Sequence, residues 1–347
     1  MPPDDERGRV ALLPAVTPKG AVLAPRLGPY LLDGQIGQGV IGTVFQARAP
    51  GSDRDVAVKV FHESIAGDAG LCRTLLREAS AARVIDHPNV ARVLAVASPS
   101  SPSPFVCREW VHGVSVDHAM REGVRTTKRI VEVLCQVLSG LAEGHRRGVV
   151  HGHVCPSNVL VCRSSQGAEH VRLCDFGLAR LLPLPEGRPP SAYAAPERRT
   201  GKRLDGRADV FGVGVLLFEL WTGKVAPRAH RAPEEGPALD FSSLRPPMPT
   251  ALALVGARAT AQARDRRFPS PLAMARALRQ TLELLGPRVD LPIESADTSS
   301  LGADPGTAAS ERITMPGDQL RSKTKLWLGI LLVALASGAL ALYAGTR

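Results

Sequence analysis

The sequence predicts an α+β protein of two lobes, a smaller strand-rich one and a larger helical one, followed by a single membrane-crossing helix. Three observations carry this expectation. From Tyr30 to Val111 short apolar runs surround only one helical pattern, LCRTLLREASAARVI. After Val111 the periodicity turns helical, in TTKRIVEVLCQVLSGLAEGHRRG and in the apolar DVFGVGVLLFELWTG. Strands first and helices second mark the α+β class. Near the C-terminus LWLGILLVALASGALALY, Leu326 to Tyr343, carries no charge.

Length and composition bound the organisation. A chain of 347 residues has room for one large domain with a substantial core. Aromatic content is 4% and the chain holds 33 glycines and 29 prolines, so part of the length reads as spacer. Residues 1–26, rich in Pro, Gly and charge without a period, read as a flexible lead-in, and 27–286 as the folded domain. Residues 287–325 read as a disordered linker ending in a basic juxtamembrane segment. Residues 326–343 read as the transmembrane helix, about 27 Å long, and 344–347 as a tail. Arg321, Lys323 and Lys325 precede that helix and only Arg347 follows it, which predicts a single-pass protein of the cell inner membrane with its domain in the cytoplasm.

The formal charge of +10 suits an anionic membrane surface, nucleic acid or phosphorylated ligands, and equally an Arg-rich solvated surface. The cysteines at 72, 107, 135, 155, 162 and 174 form no CxxC pair, and no signal peptide is expected before them. Free thiols in a reducing cytosol are therefore predicted.

Two stretches carry the chemistry. IGQGVIGTVFQA places Gly37, Gly39 and Gly42 in GxGxxG spacing between strand-like flanks, where glycine lets backbone amides approach phosphate. A ligand-free glycine hairpin fits the same residues. The strand DVAVKV that follows carries Lys59, and the next helix carries Glu78. The second stretch, VVHGHVCPSNVL, sets His151, His153 and Cys155 at alternate positions, which on an extended segment would share one face and suit zinc.

In this order glycine loop, strand Lys and helix Glu resemble the signature of the protein kinases. The domain is similar to bacterial-type Ser/Thr protein kinases over roughly Tyr30 to Leu285, which implies a bilobal kinase-like fold. HPNVARVL resembles the segment before the fourth strand, and FVCREWVHG the hinge, with Glu109 and Trp110 against adenine. CDFGLAR supplies Asp175, Phe176 and Gly177; AAPE supplies Ala195, Pro196 and Glu197. The resemblance carries Gly37, Gly39, Gly42, Val44, Ala57, Lys59, Glu78, Glu109 and Trp110 into an ATP site, and Asn158 and Asp175 into Mg²⁺ binding. It gives Asp209 and Arg267 structural roles, Arg267 as the partner of Glu197.

VVHGHVCPSNVL then aligns with the family's HRDLKPxN loop. His151 falls at the core His, under the Phe of DFG. His153 stands at the catalytic Asp, Gly152 at the Arg and Cys155 at the Lys, while Pro189 and Pro190 stand where the family's Gly and Thr precede YxAPE. Asp orients the attacking hydroxyl and Lys offsets charge on the transferred group, so the substitutions fall on one working unit. Arg108 stands at the residue gating the back of the adenine pocket, where a charge must find a carboxylate or point out. Between DFG and APE only Ser191 and Tyr193 offer hydroxyls.

The expectation is a membrane-anchored pseudokinase switch that binds ATP and Mg²⁺ and acts through a protein partner or substrate, an active kinase among them; no nucleic acid is expected. Two alternatives stand beside it: a working Ser/Thr kinase with His153 at its centre, and a nucleotide-free scaffold.

Overall fold

The computed structural model describes residues 26–52, 54–178, 191–199, 204–227 and 239–293. The first part forms a six-stranded sheet in the order β1-β2-β3-β4-β6-β5. Its strands are β1 (Arg26–Leu27), β2 (Tyr30–Gln38), β3 (Gly42–Arg48), β4 (Asp55–Phe61), β5 (Val93–Val96) and β6 (Phe105–Glu109). β4 is central, and Val56, Ala57, Val58, Val60 and Phe61 are all buried in it. Such a near-continuous apolar run suits a strand covered on both faces.

Helix α1 (Glu63–Ala66) and helix α2 (Ala69–Ala82) follow β4. Asp68 starts α2 by accepting hydrogen bonds from the amides of Gly70 (2.9 Å) and Leu71 (3.0 Å), a cap worth about 1 kcal/mol. Cys72, Leu75, Leu76 and Ala79 then lie in one core with Val58, Val60 and Phe61 of β4. Their spacing is that of one helix face.

The second part holds α3 (Val116–Glu122), α4 (Thr127–Arg146), α5 (Pro196–Arg199), α6 (Arg207–Thr222), α7 (Thr250–Ala259) and α8 (Pro271–Leu285). A small sheet, β7 (Val114–Ser115), β8 (Val159–Arg163) and β9 (Glu169–Leu173), pairs in the order β7-β8-β9. α6 is buried on nearly every side, from Val210 through Leu217, as an all-apolar helix must be in water. The peptides of Asn89 and Ala91 hydrogen-bond with Leu173 at 2.9 Å, so the segment before β5 belongs to the helical lobe.

One sequence expectation is corrected. Among the described residues no helix is long and apolar enough to cross a membrane. α4 has the length, 20 residues, but is amphipathic, with Lys128, Glu132, Glu143 and Arg146 along it. α6 has the hydropathy but spans 16 residues and is enclosed by protein, short of the roughly 20 a bilayer requires. The fold is thus the bilobal part of the expectation without the added helix. The stretch 326–343, to which the crossing was assigned, lies outside the described residues, as do the lead-in 1–25 and most of the linker.

Candidate functional site

Strand register explains how two cations come to one place. Lys59 of β4 pairs with Val106 of β6, and Ala57 pairs with Arg108. Paired residues and residues two apart share a face. Lys59, Ala57 and Arg108 therefore project to the same side, together with Val44, which pairs with Lys59 across β3. On that side lies Asp175. Its Oδ2 accepts a short charged hydrogen bond from Lys59 Nζ, and its Oδ1 is 3.7 Å from Arg108 Nε. These side chains are 12%, 11% and 11% exposed for Lys59, Arg108 and Asp175. Burial would raise the Asp175 carboxyl, but the charges of Lys59 and Arg108 outweigh it and bring its pKa down to about 2.

The backbone at Asp175 is also unusual. Its φ of 65° is left-handed, and among the described residues it is the one non-glycine with positive φ, a conformation more open to Asp and Asn than to most residues. Phe176 is turned into the core, 4.9 Å from the His151 ring, and Gly177 (φ 76°) lies against the backbone of Glu78. α2 and this turn are thus in contact.

The loop 151–158 is built around buried Asp209 of α6. Its Oδ2 accepts from the His151 amide at 2.9 Å and lies 2.7 Å from His145 Nε2, while Oδ1 accepts from the Gly152 amide at 2.6 Å. Gly152 has φ 78°, so glycine takes without strain a turn that the arginine of the family pattern would have to be forced into. His151 is fully buried and its Nε2 is bonded to the Cys174 carbonyl at 2.8 Å. Its Nδ1 accepts from the His153 amide at 3.2 Å, so both ring nitrogens are taken by backbone. Among the described residues no cluster of three His, Cys, Asp or Glu could hold a metal ion, so the zinc arrangement does not assemble.

His153 is half-buried in this loop. Its carbonyl accepts from Asn158 Nδ2 at 3.0 Å, and its own Nδ1 is buried without a hydrogen-bond partner. Burial first, then the positive charge of Arg198, pushes the imidazole down to about 3. At neutral pH the group at the catalytic position is therefore uncharged. Arg198, two residues past Pro196, reaches the Gly152 carbonyl at 3.3 Å with its Nε buried and unpartnered, and burial lowers its pKa. Cys155 is buried with its Sγ 3.2 Å from Ser157 Oγ. Pro189 and Pro190 lie outside the described residues.

The other expected residues line the adjoining pocket. Val44 and Ala57 form one apolar cluster with Ile36 and Trp110. The next hinge residue, Val111, belongs to a second cluster with Ala91, Leu160 and Cys174. Glu109 accepts the Arg92 amide at 3.0 Å through Oε1, which also pairs with Arg172. Gly39 closes the β2–β3 turn by donating to the Gly42 carbonyl at 2.9 Å. A Cβ on Gly42 would lie 2.0 Å from the Val60 carbonyl oxygen, so this glycine is required by the sheet itself. Ile36, Leu160 and Arg198 are site residues the sequence reading missed. The spacing of Ile36, immediately before the glycine run, and of Leu160, two residues past Asn158, was a signal that could have found them; Arg198 had no such signal.

Two lobes joined by a strand-linked hinge, with a glycine turn, a strand Lys and an Asp-Phe-Gly turn meeting between them, define a protein kinase. The chain belongs to that family: residues 30–238, more than half of it, match the protein kinase domain. It is 34% identical over 269 residues to the serine/threonine-protein kinase PknJ of Mycobacterium tuberculosis, covering 73% of this chain and 45% of that protein. To serine/threonine-protein kinase pkn3 of Myxococcus xanthus it is 31% identical over 232 residues, 64% of this chain and 42% of that one. The chain spans less than half the length of these curated relatives. The crystal structure of the Mycobacterium tuberculosis PknI kinase domain aligns with a TM-score of 0.62 at 26% identity, over 75% of this chain and 99% of that one.

Protein kinases in general bind ATP and Mg²⁺ and act on proteins. In this arrangement Asp175, one of the two residues expected to hold Mg²⁺, does not fit it. Both oxygens of Asp175 already face cations, while Asn158 donates to the loop through Nδ2, a bond that does not use its Oδ1. Each unit of like charge about 4 Å away costs about 4 kcal/mol at an effective dielectric near 20, and a divalent ion doubles that.

Proposed function

We propose that this chain is a kinase-fold switch that binds a nucleotide such as ATP, transfers phosphate poorly, and signals by docking to a protein, an active kinase or its substrate. The observation that carries this reading is the state of His153. It stands where the family has the Asp that accepts the hydroxyl proton, and its ring Nδ1 is buried without a hydrogen-bond partner. A neutral imidazole whose pKa is near 3 is a weak base at pH 7 and carries no negative charge to orient a hydroxyl. The pocket walls from Ile36, Val44, Ala57 and Trp110, with Lys59 beside them, support the nucleotide half.

A second reading, a working Ser/Thr kinase, is favoured by the relatives, each of which is named a serine/threonine-protein kinase. The full-length protein, incubated with γ-labelled ATP, Mg²⁺ or Mn²⁺ and a generic protein substrate, separates the two. The switch predicts no incorporation but a rise in unfolding temperature with ATP, because a ligand bound only by the native state stabilises it. Incorporation that disappears in Lys59→Met would establish the working kinase instead. Neither incorporation nor stabilisation would leave a nucleotide-free scaffold.

A further inference from the structure

Arg108 is a charged group beside Asp175 that the nucleotide-binding pattern does not call for. Its guanidinium turns inward from β6, is 11% exposed on the side chain, and takes Asp175 Oδ1 at 3.7 Å while Lys59 takes Oδ2. Arg108 at the gating position thus brings a second fixed positive charge to the carboxylate that Lys59 already holds.

We propose that the Arg108 guanidinium replaces the divalent metal ion, so that this cleft binds a nucleoside polyphosphate without metal. The inference rests on the nucleotide reading given above. The chemistry is balanced on both sides. A polyphosphate brings several negative charges that must be neutralised as they leave water, and a guanidinium does this with planar, directed donors that suit phosphate oxygens. Arg108 and Lys59 leave the same sheet face on neighbouring strands, two residues apart in register, so both can follow one phosphate chain. Asp175, left-handed in backbone and ion-paired to both, holds the two cations together at the cleft. A guanidinium cannot lose its charge at any physiological pH, so the substitution is permanent.

The test measures ATP and ADP binding to the full-length protein by titration calorimetry, once in EDTA and once in excess MgCl₂. The expected result is a pair of dissociation constants that agree within about twofold, less than the tenfold that 1.4 kcal/mol would give. Arg108→Met is expected to bind at least about tenfold more weakly in EDTA and to regain affinity with Mg²⁺, while Arg108→Lys keeps metal-independent binding. Wild-type binding that is lost in EDTA overturns the inference and leaves the nucleotide reading intact. Binding in neither buffer overturns both. A parallel measurement avoids nucleotide altogether: Mn²⁺ added to the wild-type protein is expected to remain free by electron paramagnetic resonance, and a bound signal abolished by Asp175→Asn would overturn the inference on its own.

Discussion

Arg108 and Asp175 lie within 3.7 Å of each other in a cleft where each is 11% exposed. The pairing answers the question that a charged residue at the back of a nucleotide pocket raises, because an arginine there must either leave the interior or bring a carboxylate to it. It has drawn in the Asp of the Asp-Phe-Gly turn, which Lys59 also holds. One carboxylate thus carries two cations, and its substitution has a defined cost.

Asp175→Asn keeps the shape and tolerates the left-handed φ of 65°. It removes the charge that Lys59 and Arg108 oppose. The folded-state pKa of about 2 lies below the ordinary 3.8, so this carboxylate stabilises the protein above pH 3.8 and loses that contribution as pH falls toward 2. Urea unfolding at pH 7 should show a loss of about 2 kcal/mol, from about 1.4 kcal/mol per pKa unit. A variant as stable as wild type at pH 7 would contradict the ion-pair account.

His153, like Asp175, predicts a loss of stability toward acid pH. Above pH 6.5 both folded and unfolded states hold it neutral; between 6.5 and about 3 only the unfolded state takes the proton, so stability falls as pH drops. Burial lowers His151 in the same direction. Between pH 6.5 and pH 5 the His153 share is about 2 kcal/mol. In His153→Gln the loss of stability from pH 7 to pH 5 should shrink by that amount, and equal losses in the two proteins would show that His153 titrates normally.

Gly144 on α4 faces Phe176, and a Cβ there would lie 2.4 Å from its Cε1. In an exposed helix Gly→Ala stabilises by roughly 1 kcal/mol. Here overpacking of about 1–3 kcal/mol should outweigh that gain and displace the ring from its 4.9 Å contact with His151. Thermal unfolding of Gly144→Ala should therefore show a lower midpoint. A higher midpoint would mean that Phe176 moves aside at no cost.

Arg267 and Glu197 form a fully buried fork, 2.8 Å in both arms, with the Arg267 Nε also donating to the Ala261 carbonyl at 2.7 Å. Glu197→Ala leaves a guanidinium enclosed with no opposing charge, which should cost about 3–5 kcal/mol. Denaturant titration measures it. A loss below about 1 kcal/mol would show that the carbonyls around Arg267 suffice.

Local chemistry made much of this legible in sequence. Helix α4 was read over 126–148 and spans Thr127–Arg146, because Thr126 caps it and its apolar face repeats at helical spacing. The helix carrying Glu78 was placed later than it is, since the cap at Asp68 was not recognised. The Arg267–Glu197 pair was expected from motif order alone, and the structure joins them across 70 residues. The zinc alternative does not assemble for a tertiary reason: Asp209 takes the amides of His151 and Gly152, and the His151 ring is bonded to the Cys174 carbonyl.

By itself the sequence determined the family, the two lobes and the identity of the substituted groups, because strand and helix periodicity and motif order are properties of neighbouring residues. Only the tertiary structure decided where those groups point. Arg108 and Asp175 are 67 positions apart, and whether that arginine turns to solvent or to a carboxylate depends on the register of β4 with β6 and on the turn at Asp175. His153 likewise became a neutral, half-buried imidazole through the approach of Arg198 and the closing of the loop around Asp209. Burial and charge act through space, and no spacing along the chain encodes them.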